Sequence, residues 1–579
     1  MQKICQNCKK DFEITKDELG FYSKIETETP NYCPTCRMQN KMNWRNERSL
    51  YKRTCDLCQK NIITIYSEDK PYKVYCNECF HGDGWNATDY GLDLDFSKPF
   101  LQQFRELQLK VPRLYAFVFQ NHNSDYVNGA AYNKNCYLIF VSDHNEDSLY
   151  SHNIFNCKNT MDSLNSTECE FLYDSITCKK SYRVLFSEDC SNSQDLYFCK
   201  NCSNCHDCIA SVNLRNQQYC IFNKQYSKEE YLKEKEKIGF SLYKNMMETR
   251  EKAKKFWLNF PVKYVHGLQN IDISGDYIFG SKNSHNIFNS DLLENCNYVN
   301  YGNKAKDCMD GYVVVDNCEL SHEIVSAISL NNAHSCYCAW HCFDTFYCDT
   351  CENVDNLFGC VGLKKKKYCI LNKQYTKEKY EELIPKIKQH MKDMPYKDKN
   401  GKSFVYGDFF PSEFSPFCYN ETAVQENFPL THDEALKNGY PWKEKETRNY
   451  KIDIKAEDLS DNVSEEILEK VIGCAHHDKN NHEEANCEAV CTEAFKITPD
   501  ELQFYKRMDL PLPRLCPNCR HYNRLKQKNP LTLWRRSCMC ELKNHTHGDK
   551  KCKNEFETSY SPDRAEIVYC ESCYQQEVY

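Results

Sequence analysis

Cysteine pairs of the form C-x-x-C are the residues of this chain whose spacing best suits chemistry. One pair places two thiolates on a tight turn, and two pairs joined by a hairpin complete a tetrahedral set of four sulfurs, which suits Zn²⁺. Four pairs fall within the first 80 residues, which favours metal binding over unpaired core cysteines. The predicted ligands are Cys5, Cys8, Cys33 and Cys36 in ribbon 1, and Cys55, Cys58, Cys76 and Cys79 in ribbon 2.

The C-terminal end repeats this arrangement. The interval from Cys8 to Cys33 is 25 residues, and so is the interval from Cys491 to Cys516. Each interval contains a threonine followed three residues later by a glutamate, a capping box that predicts the start of a helix. Equal spacing and equal motifs indicate an internal duplication. The predicted ligands are Cys487, Cys491, Cys516 and Cys519 in ribbon 3, and Cys538, Cys552, Cys570 and Cys573 in ribbon 4.

Ribbon 4 departs from the pattern through an insertion after its first cysteine. The insertion carries Cys540, His545 and His547, all of which are metal-ligand types. Cys540 or His547 could replace Cys538, or the insertion could build a second site, and the sequence leaves this open. The four ribbons predict about four Zn²⁺ ions, and closed sites of this kind contribute on the order of 10 kcal/mol to folding.

The segments between the ribbons repeat in short steps that predict stacked β-strands. Three short β-segments per 21 residues would form one turn of a parallel β-helix, with strands about 4.8 Å apart. A looser second stack covers about 270–370, and charged helical segments after both stacks would cover their open ends. The 21-residue spacing is that of Cys136, Cys157, Cys178, Cys199 and Cys220.

Two dense groups inside the stacks could bind metal. A run of four cysteines spaced by three residues is compatible with an iron–sulfur or zinc site. Because the first of them also belongs to the 21-residue ladder, we favour buried ladder positions, and a buried core for the second group. Whether either binds metal stays open. The groups are Cys199, Cys202, Cys205 and Cys208, and His334, Cys336, Cys338, His341 and Cys342.

The chain is therefore predicted to be mostly β and multidomain, with terminal tandem zinc ribbons flanking two parallel β-helix-like stacks with capping α-helices. The predicted parts are ribbons 1 and 2 at 1–80, a connecting segment with a short helix at 81–130, the first stack at 131–226, a charged helix at 227–260, the second stack at 265–375, a helix and loop-rich linker at 376–473, and ribbons 3 and 4 at 474–579.

Composition limits the class of protein. The 579 residues include 39 cysteines and carry a net charge of −8, so the chain as a whole is not a polycation. No apolar run reaches the roughly 20 residues needed to cross a bilayer, and no secretory signal precedes the first cysteine pair. We expect a cytoplasmic protein without a membrane partner, in which cysteines bind metal rather than form disulfides.

Four segments resemble a family of uncharacterised zinc-ribbon, cysteine-rich repeat proteins from uncultivated candidate-phyla bacteria. They are WRNERSLYKR at 44–53, FRELQL at 104–109, VPRL at 111–114 and IVYCESCYQQEVY at 567–579. The resemblance extends over most of the chain and implies the fold and bound zinc. Some members carry a CoA-transferase label, but this sequence contains no nucleotide or acyl-carrier pocket motif that would support it.

Basic segments between the paired ribbons predict a nucleic-acid-binding, non-enzymatic protein. Each contains arginines, lysines and a tryptophan, which could bind phosphates and stack on bases, and the lack of a recognition helix favours RNA over duplex DNA. Solvated linker charges are the simpler alternative. The predicted contacts are Arg37, Lys41, Trp44, Arg45 and Arg48, and Arg520, Arg524, Lys526, Trp534 and Arg535.

Two other functions remain as alternatives. Stacked repeats offer long flat faces, so the chain could be a protein-interaction scaffold with protein partners. A β-helix could also host carbohydrate chemistry on paired carboxylates, but the sequence places no two of them at working distance, and a corner-turning aspartate is the commoner role. Catalysis is the least favoured alternative, and no catalytic residue is predicted.

Overall fold

The computed structural model describes residues 1–445, 449–476, 490–545 and 547–579. Strands dominate, and they form two long parallel stacks in the middle of the chain and small two-stranded sheets near its ends. This confirms the mostly β prediction and the cysteine clusters near both ends. None of the helices in the described part combines the length and the apolar character that crossing a bilayer requires.

The first stack consists of two parallel sheets that each end or begin near residue 168. Its strands are Val118–Phe119, Asn128–Ala131, Phe140–Asp143, His152–Phe155 and Leu164–Thr167 in one sheet, and Glu170–Tyr173, Tyr182–Leu185, Gln194–Tyr197, His206–Ile209, Gln218–Ile221 and Lys224–Gln225 in the other.

The second stack is a single sheet of nine strands in chain order. They are Gly267–Leu268, Ile271–Phe279, Lys282–Glu294, Asn297–Lys306, Met309–Glu319, His322–Phe346, Asp355–Phe358, Lys367–Ile370 and Lys373–Gln374.

Neighbouring strands of the first stack are 12 residues apart in sequence. Phe140 pairs with His152, and His152 pairs with Leu164, both in parallel register. Isolated bridges between the strands keep the same 12-residue offset. In the second stack the offset is mostly 12, with local steps of 11 and 13 at irregular positions. The 21-residue rung predicted from the cysteines is therefore wrong.

A turn at every third residue explains the misleading spacing. Asn153, Asn156 and Asn159 have φ between 50 and 55°, a left-handed conformation that asparagine tolerates well. The residue that follows each of them points inward, so buried positions recur every third residue. Because 21 is a multiple of three but not of 12, successive ladder cysteines face inward on different sides of the stack.

Serine and cysteine share one structural role inside the first stack. The Ser142 hydroxyl donates to the Phe140 carbonyl (2.7 Å) and accepts from the Ile154 N–H (3.2 Å). The Cys157 thiol likewise donates to the Phe155 carbonyl (3.4 Å). A 12-residue repeat encloses a narrow interior, so small side chains that can satisfy backbone groups are favoured there.

The remaining strands form small sheets. Antiparallel pairs are Gln2–Ile4 with Asp11–Glu13, Tyr51–Thr54 with Asn61–Thr64, Tyr396–Lys397 with Ser403–Phe404, Ile472–Gly473 with Ala494–Phe495, and Trp534–Ser537 with Glu555–Thr558. Parallel pairs are Val74–Tyr75 with Arg113–Leu114, and Pro261–Lys263 with Ile567–Tyr569.

The described α-helices are Lys16–Lys24, Pro34–Met42, Asn77–His81, Phe100–Lys110, Lys228–Ile238, Tyr243–Trp257, Lys377–Asp393, Ala423–Asn427, His432–Lys437, Pro499–Met508, Pro517–Leu525 and Glu571–Val578. Short 3-10 helices cover Ala87–Tyr90, Ser412–Phe414, Tyr419–Glu421, Ala456–Asp458 and Glu465–Glu469. The helices Lys228–Ile238 and Lys377–Asp393 follow the two stacks, and each buries one tyrosine, Tyr231 or Tyr380, near the last strands.

The ends of the chain pack crosswise on the stacks. Ribbon 1 packs on the second stack, where its core continues into Met309. Ribbon 3 packs on the first stack, and Leu502 and Tyr505 share a core with Tyr150 and Tyr173. Each stack is therefore covered by a ribbon from the opposite end of the chain.

Candidate metal centres

Four groups of four cysteines are close enough to hold metal ions such as Zn²⁺. Within each group the sulfurs all lie within 4.8 Å of one another. Representative Sγ–Sγ distances are 3.7, 3.8, 3.7 and 3.9 Å. Zn–S bonds of about 2.3 Å in a tetrahedron give edges of about 3.8 Å, whereas a disulfide is about 2.05 Å long. The groups are Cys5, Cys8, Cys33 and Cys36; Cys55, Cys58, Cys76 and Cys79; Cys474, Cys491, Cys516 and Cys519; and Cys538, Cys552, Cys570 and Cys573.

The same local fold builds each group. The third cysteine caps the N-terminus of a helix, and its backbone N–H donates to the sulfur of the first cysteine. The donor–sulfur distances are 3.2, 3.3, 3.4 and 3.3 Å in ribbons 1 to 4. This repeated bond makes the first cysteines of the four groups structurally equivalent; they are Cys5, Cys55, Cys474 and Cys538.

Ribbon 3 differs from the predicted ligand set. The structure brings Cys474 together with Cys491, Cys516 and Cys519, while the predicted Cys487 lies outside the described residues. Cys474 follows the strand Ile472–Gly473, as Cys5 follows the strand Gln2–Ile4. The prediction assumed a short first turn, but 17 residues separate Cys474 from Cys491. A strand ending in cysteine was the signal that could have identified Cys474.

Backbone and side-chain donors favour the thiolate form in these groups. Burial raises the pKa of Cys570, but hydrogen bonds from the Ser572 hydroxyl, the Cys573 backbone and Asn554 outweigh it and lower the pKa to about 6. In the same way, backbone N–H groups of Cys58 and Cys76 outweigh burial at Cys55 and lower its pKa to about 7. Thiolates are the form that binds metal, so the sites favour the charge state of the ligand.

The four ladder cysteines that could have formed a separate cluster point at backbone carbonyls. The thiols of Cys199, Cys202, Cys205 and Cys208 donate to the carbonyls two residues earlier at 3.3–3.5 Å. This is the bond that Ser142 and Cys157 make elsewhere in the first stack. In the second stack the Cys336 and Cys342 thiols donate in the same way, to the carbonyls of His334 and Trp340.

The predicted nucleic-acid contacts near ribbon 1 hold the ribbon on the second stack. Arg37 pairs with Asp310 (2.8 Å) and Lys41 pairs with Glu323 (2.6 Å), and all four side chains are buried. Trp44 is fully buried against Tyr337 and Phe410. Arg45 pairs with Glu47 and contacts Ser326, and Arg48 lies over the ring of Phe140.

The equivalent contacts near ribbon 3 hold that ribbon on the first stack. Arg520 pairs with Glu501 (3.1 Å) and Asp162 (3.3 Å), and Arg524 pairs with Asp162 (3.0 Å) and Asp174 (3.2 Å). In this conformation carboxylates occupy the sites where phosphates were expected. Trp534 is half-buried in a strand, and Arg535 is exposed but pairs with Glu555.

Lys526 is exposed and lines a cleft of about 1070 Å³. The cleft lies between the first stack, the helix Tyr243–Trp257, the start of the second stack and the C-terminal helix Glu571–Val578. Ten lysines and arginines line it, against five aspartates and glutamates, so its charge is opposite to that of the whole chain. The sequence did not reveal this cleft, because its basic residues come from distant segments.

Two of the cleft side chains illustrate its electrostatics. Burial lowers the pKa of Lys254, and the neighbouring Arg250 lowers it further. Burial also lowers the pKa of His266, but Asp276 and Asp189 outweigh it, so the pKa of His266 is raised. The His266 Nδ1 is 2.9 Å from the Asp276 carboxylate. An anion in the cleft would relieve the repulsion between Lys254 and Arg250.

Comparisons with known proteins add little to this description. No protein-family model and no curated protein matches the chain. Among the solved structures that match is a protein from Desulfovibrio desulfuricans G20 that is described provisionally as an acetyltransferase. The identity is 9% over 51% of this chain and 86% of that one, and the TM-score is 0.10. This likeness carries no conclusion about fold or function.

Proposed function

We propose that this chain is a non-enzymatic zinc-binding protein that binds single-stranded nucleic acid, RNA in preference to duplex DNA, in its basic cleft. The observation that carries the proposal is the excess of ten basic over five acidic side chains in a cleft of about 1070 Å³. This volume exceeds the roughly 300–1,000 Å³ that is typical of small-molecule sites.

Zinc is the metal that the ligand sets favour. Four thiolates at tetrahedral spacing suit Zn²⁺, and four protein ligands leave no open position for a substrate. The proposed role of the four ions is therefore structural. The resemblance to candidate-phyla zinc-ribbon proteins implies the same role, and it remains a prediction.

The proposed architecture of the two stacks is a pair of parallel β-helices. The common 12-residue offset of strands and bridges, with a left-handed residue at every third position, supports a coil with four three-residue sides. Such coils are rigid, so they suit a cleft whose walls come from several segments.

Single-stranded RNA fits the cleft better than a small anion does. Exposed aromatic rings stand among the basic residues: Phe279 is 40% and Tyr579 69% exposed, and the Arg215 guanidinium lies 4.8 Å from the Tyr579 ring centroid. Basic grooves with exposed rings bind single strands by pairing with phosphates and stacking on bases. A recognition helix for duplex DNA was not predicted.

Charge reversal in the cleft tests the proposal. Lys179 and Lys255 are exposed cleft residues, whereas Lys244 and Lys252, on the same helix as Lys255, do not line the cleft. We expect Lys179→Glu/Lys255→Glu to weaken binding of a fluorescent oligouridylate at least tenfold and to lower the salt slope by about two. The measurement is fluorescence anisotropy of the full zinc-loaded chain at several salt concentrations.

The matched control is Lys244→Glu/Lys252→Glu, which changes net charge by the same amount and should bind like the wild type. Equal weakening by both variants would contradict the cleft as the binding site. Affinity that does not depend on salt, together with protein partners that survive a high-salt wash, would favour the scaffold alternative.

A further inference from the structure

The insertion of ribbon 4 brings together a second set of metal-ligand atoms. The thiols of Cys540 and Cys573 and the imidazoles of His545 and His547 each offer one atom, and these atoms all lie within 4.8 Å of one another. Cys573 also belongs to the four-cysteine group of ribbon 4. The two sets therefore share one sulfur.

The distances within the second set match a tetrahedral site with mixed ligands. The Cys540 Sγ is 3.4 Å from the His545 Nδ1 and 3.3 Å from the His547 Nε2. Zn–S bonds of about 2.3 Å and Zn–N bonds of about 2.0 Å give sulfur–nitrogen edges of about 3.5 Å. The agreement needs no rearrangement of the insertion.

The other nitrogen of each histidine faces an acceptor. The His547 Nδ1 is 2.5 Å from the Lys550 carbonyl, and the His545 Nε2 is 3.7 Å from the Glu577 carboxylate. Metal-binding histidines commonly place their outer nitrogen against a carbonyl or carboxylate, which fixes the tautomer that leaves the inner nitrogen free to coordinate. Both histidines have this arrangement, with opposite nitrogens facing inward.

Local hydrogen bonds hold the insertion in this shape. The Cys552 N–H donates to the Cys540 carbonyl (3.0 Å), which closes the base of the insertion. The Asn544 N–H donates to the Asp549 carboxylate (3.0 Å), and Gly548 has a φ of 75° that permits the reversal between the two histidines and Asp549. The ligands are therefore positioned by the backbone rather than by long flexible side chains.

We infer that ribbon 4 binds two divalent metal ions, with Zn²⁺ as the favoured metal, and that the Cys573 thiolate bridges them. A thiolate has enough lone pairs to bind two ions at once. The second ion adds two positive charges against one further thiolate, so it reduces the net negative charge of the buried sulfur cluster. The inference does not depend on nucleic-acid binding.

Zinc content of the full chain tests the inference. His547→Gln removes one ligand of the second ion but leaves all four sulfurs of the first set. We expect this variant, isolated in zinc-buffered medium, to contain one equivalent of zinc per chain less than the wild type by mass spectrometry of the metal. His432→Gln, an exposed histidine outside the metal groups, is the matched control and should keep the wild-type content.

Cobalt substitution tests the bridge separately. Because a shared thiolate couples the spins of two Co²⁺ ions, the electron paramagnetic resonance signal per cobalt should fall as the last equivalent binds to the wild type, and not in His547→Gln. Equal zinc in His547→Gln and wild type would overturn the second ion. A signal that grows in proportion to bound cobalt throughout the titration would overturn the bridge.

Discussion

At the scale of single residues, the buried cations beside the ribbons are repeated by the duplication. Arg37 and Lys41 lie one and five residues after the last cysteine of ribbon 1, and Arg520 and Arg524 lie one and five residues after that of ribbon 3. Four residues is one helical turn, so both members of a pair face the stack. Each pair meets carboxylates about one 12-residue repeat apart: Asp310 and Glu323, or Asp162 and Asp174.

Loss of one of these cations should destabilise the protein strongly. Arg524→Met leaves Asp162 and Asp174 buried with fewer partners, and we expect a loss of about 3 kcal/mol in the free energy of unfolding. Lys237→Met, which removes an exposed pair with Glu234, should change it by less than about 0.5 kcal/mol. Urea unfolding followed by circular dichroism measures both. Similar stabilities would contradict the docking role of Arg524.

Protonation of His266 should make RNA binding pH-dependent. Because Asp276 and Asp189 raise its pKa above 6.5, the imidazolium and its contribution to stability are fully present below pH 6.5 and are lost as pH rises through the raised pKa. Affinity for oligouridylate should therefore fall over that same rise, and His266→Gln should flatten this part of the profile. Anisotropy titrations between about pH 6 and pH 9 measure it; a parallel profile for wild type and variant would argue against the role.

At the scale of elements, ligand types and helix caps were predictable, whereas the repeat length was not. The capping boxes at Thr15 and Thr498 form as expected, because they depend on residues three apart. The repeat of the stacks depends on which inward residues pair across strands, and a period of three in small residues fits both 21 and 12. The first cysteine of ribbon 3 was missed because a long insertion separates it from the second.

Ribbon 3 offers a sharp test of the ligand assignment. Cys474→Ser should lose one equivalent of zinc and unfold ribbon 3, because the remaining three thiolates leave the ion incompletely coordinated. Cys487→Ser should keep full zinc content, because the set is complete without it. Metal analysis of the two purified variants measures this, and the reverse outcome would restore the ligand set predicted from the sequence.

Cys178 tests the ladder role of the inner cysteines. Its thiol is buried and donates to the Ile176 carbonyl (3.7 Å), as serines do at equivalent positions. Cys178→Ser should therefore cost less than about 1 kcal/mol, and Cys178→Ala about 1–3 kcal/mol through a cavity and a lost hydrogen bond, both with unchanged zinc content. Thermal unfolding and metal analysis measure these effects. Loss of zinc in either variant would contradict the ladder role.

At the scale of the whole molecule, the duplication extends from the ribbons into the start of each stack. The Thr64 hydroxyl donates to the Tyr115 carbonyl and the Thr558 hydroxyl to the Tyr264 carbonyl, both at 2.7 Å. Ribbons 2 and 4 thus join the strands that lead into the first and second stacks, while ribbons 1 and 3 cross over to the opposite stack. The sequence revealed the repeated ribbons but not this crossing, because contacts between distant segments leave no local pattern. The cleft arises from the same assembly.

Ultraviolet cross-linking in the native cells, with mass spectrometry of the RNA-linked peptides, tests the central claim most directly. The proposal predicts recovered RNA and cross-links at cleft residues such as Phe279 and Tyr579, which are exposed among the basic side chains. Absence of RNA, or cross-links confined to the buried segments around Trp44 and Arg520, would contradict the cleft as the site of nucleic-acid binding.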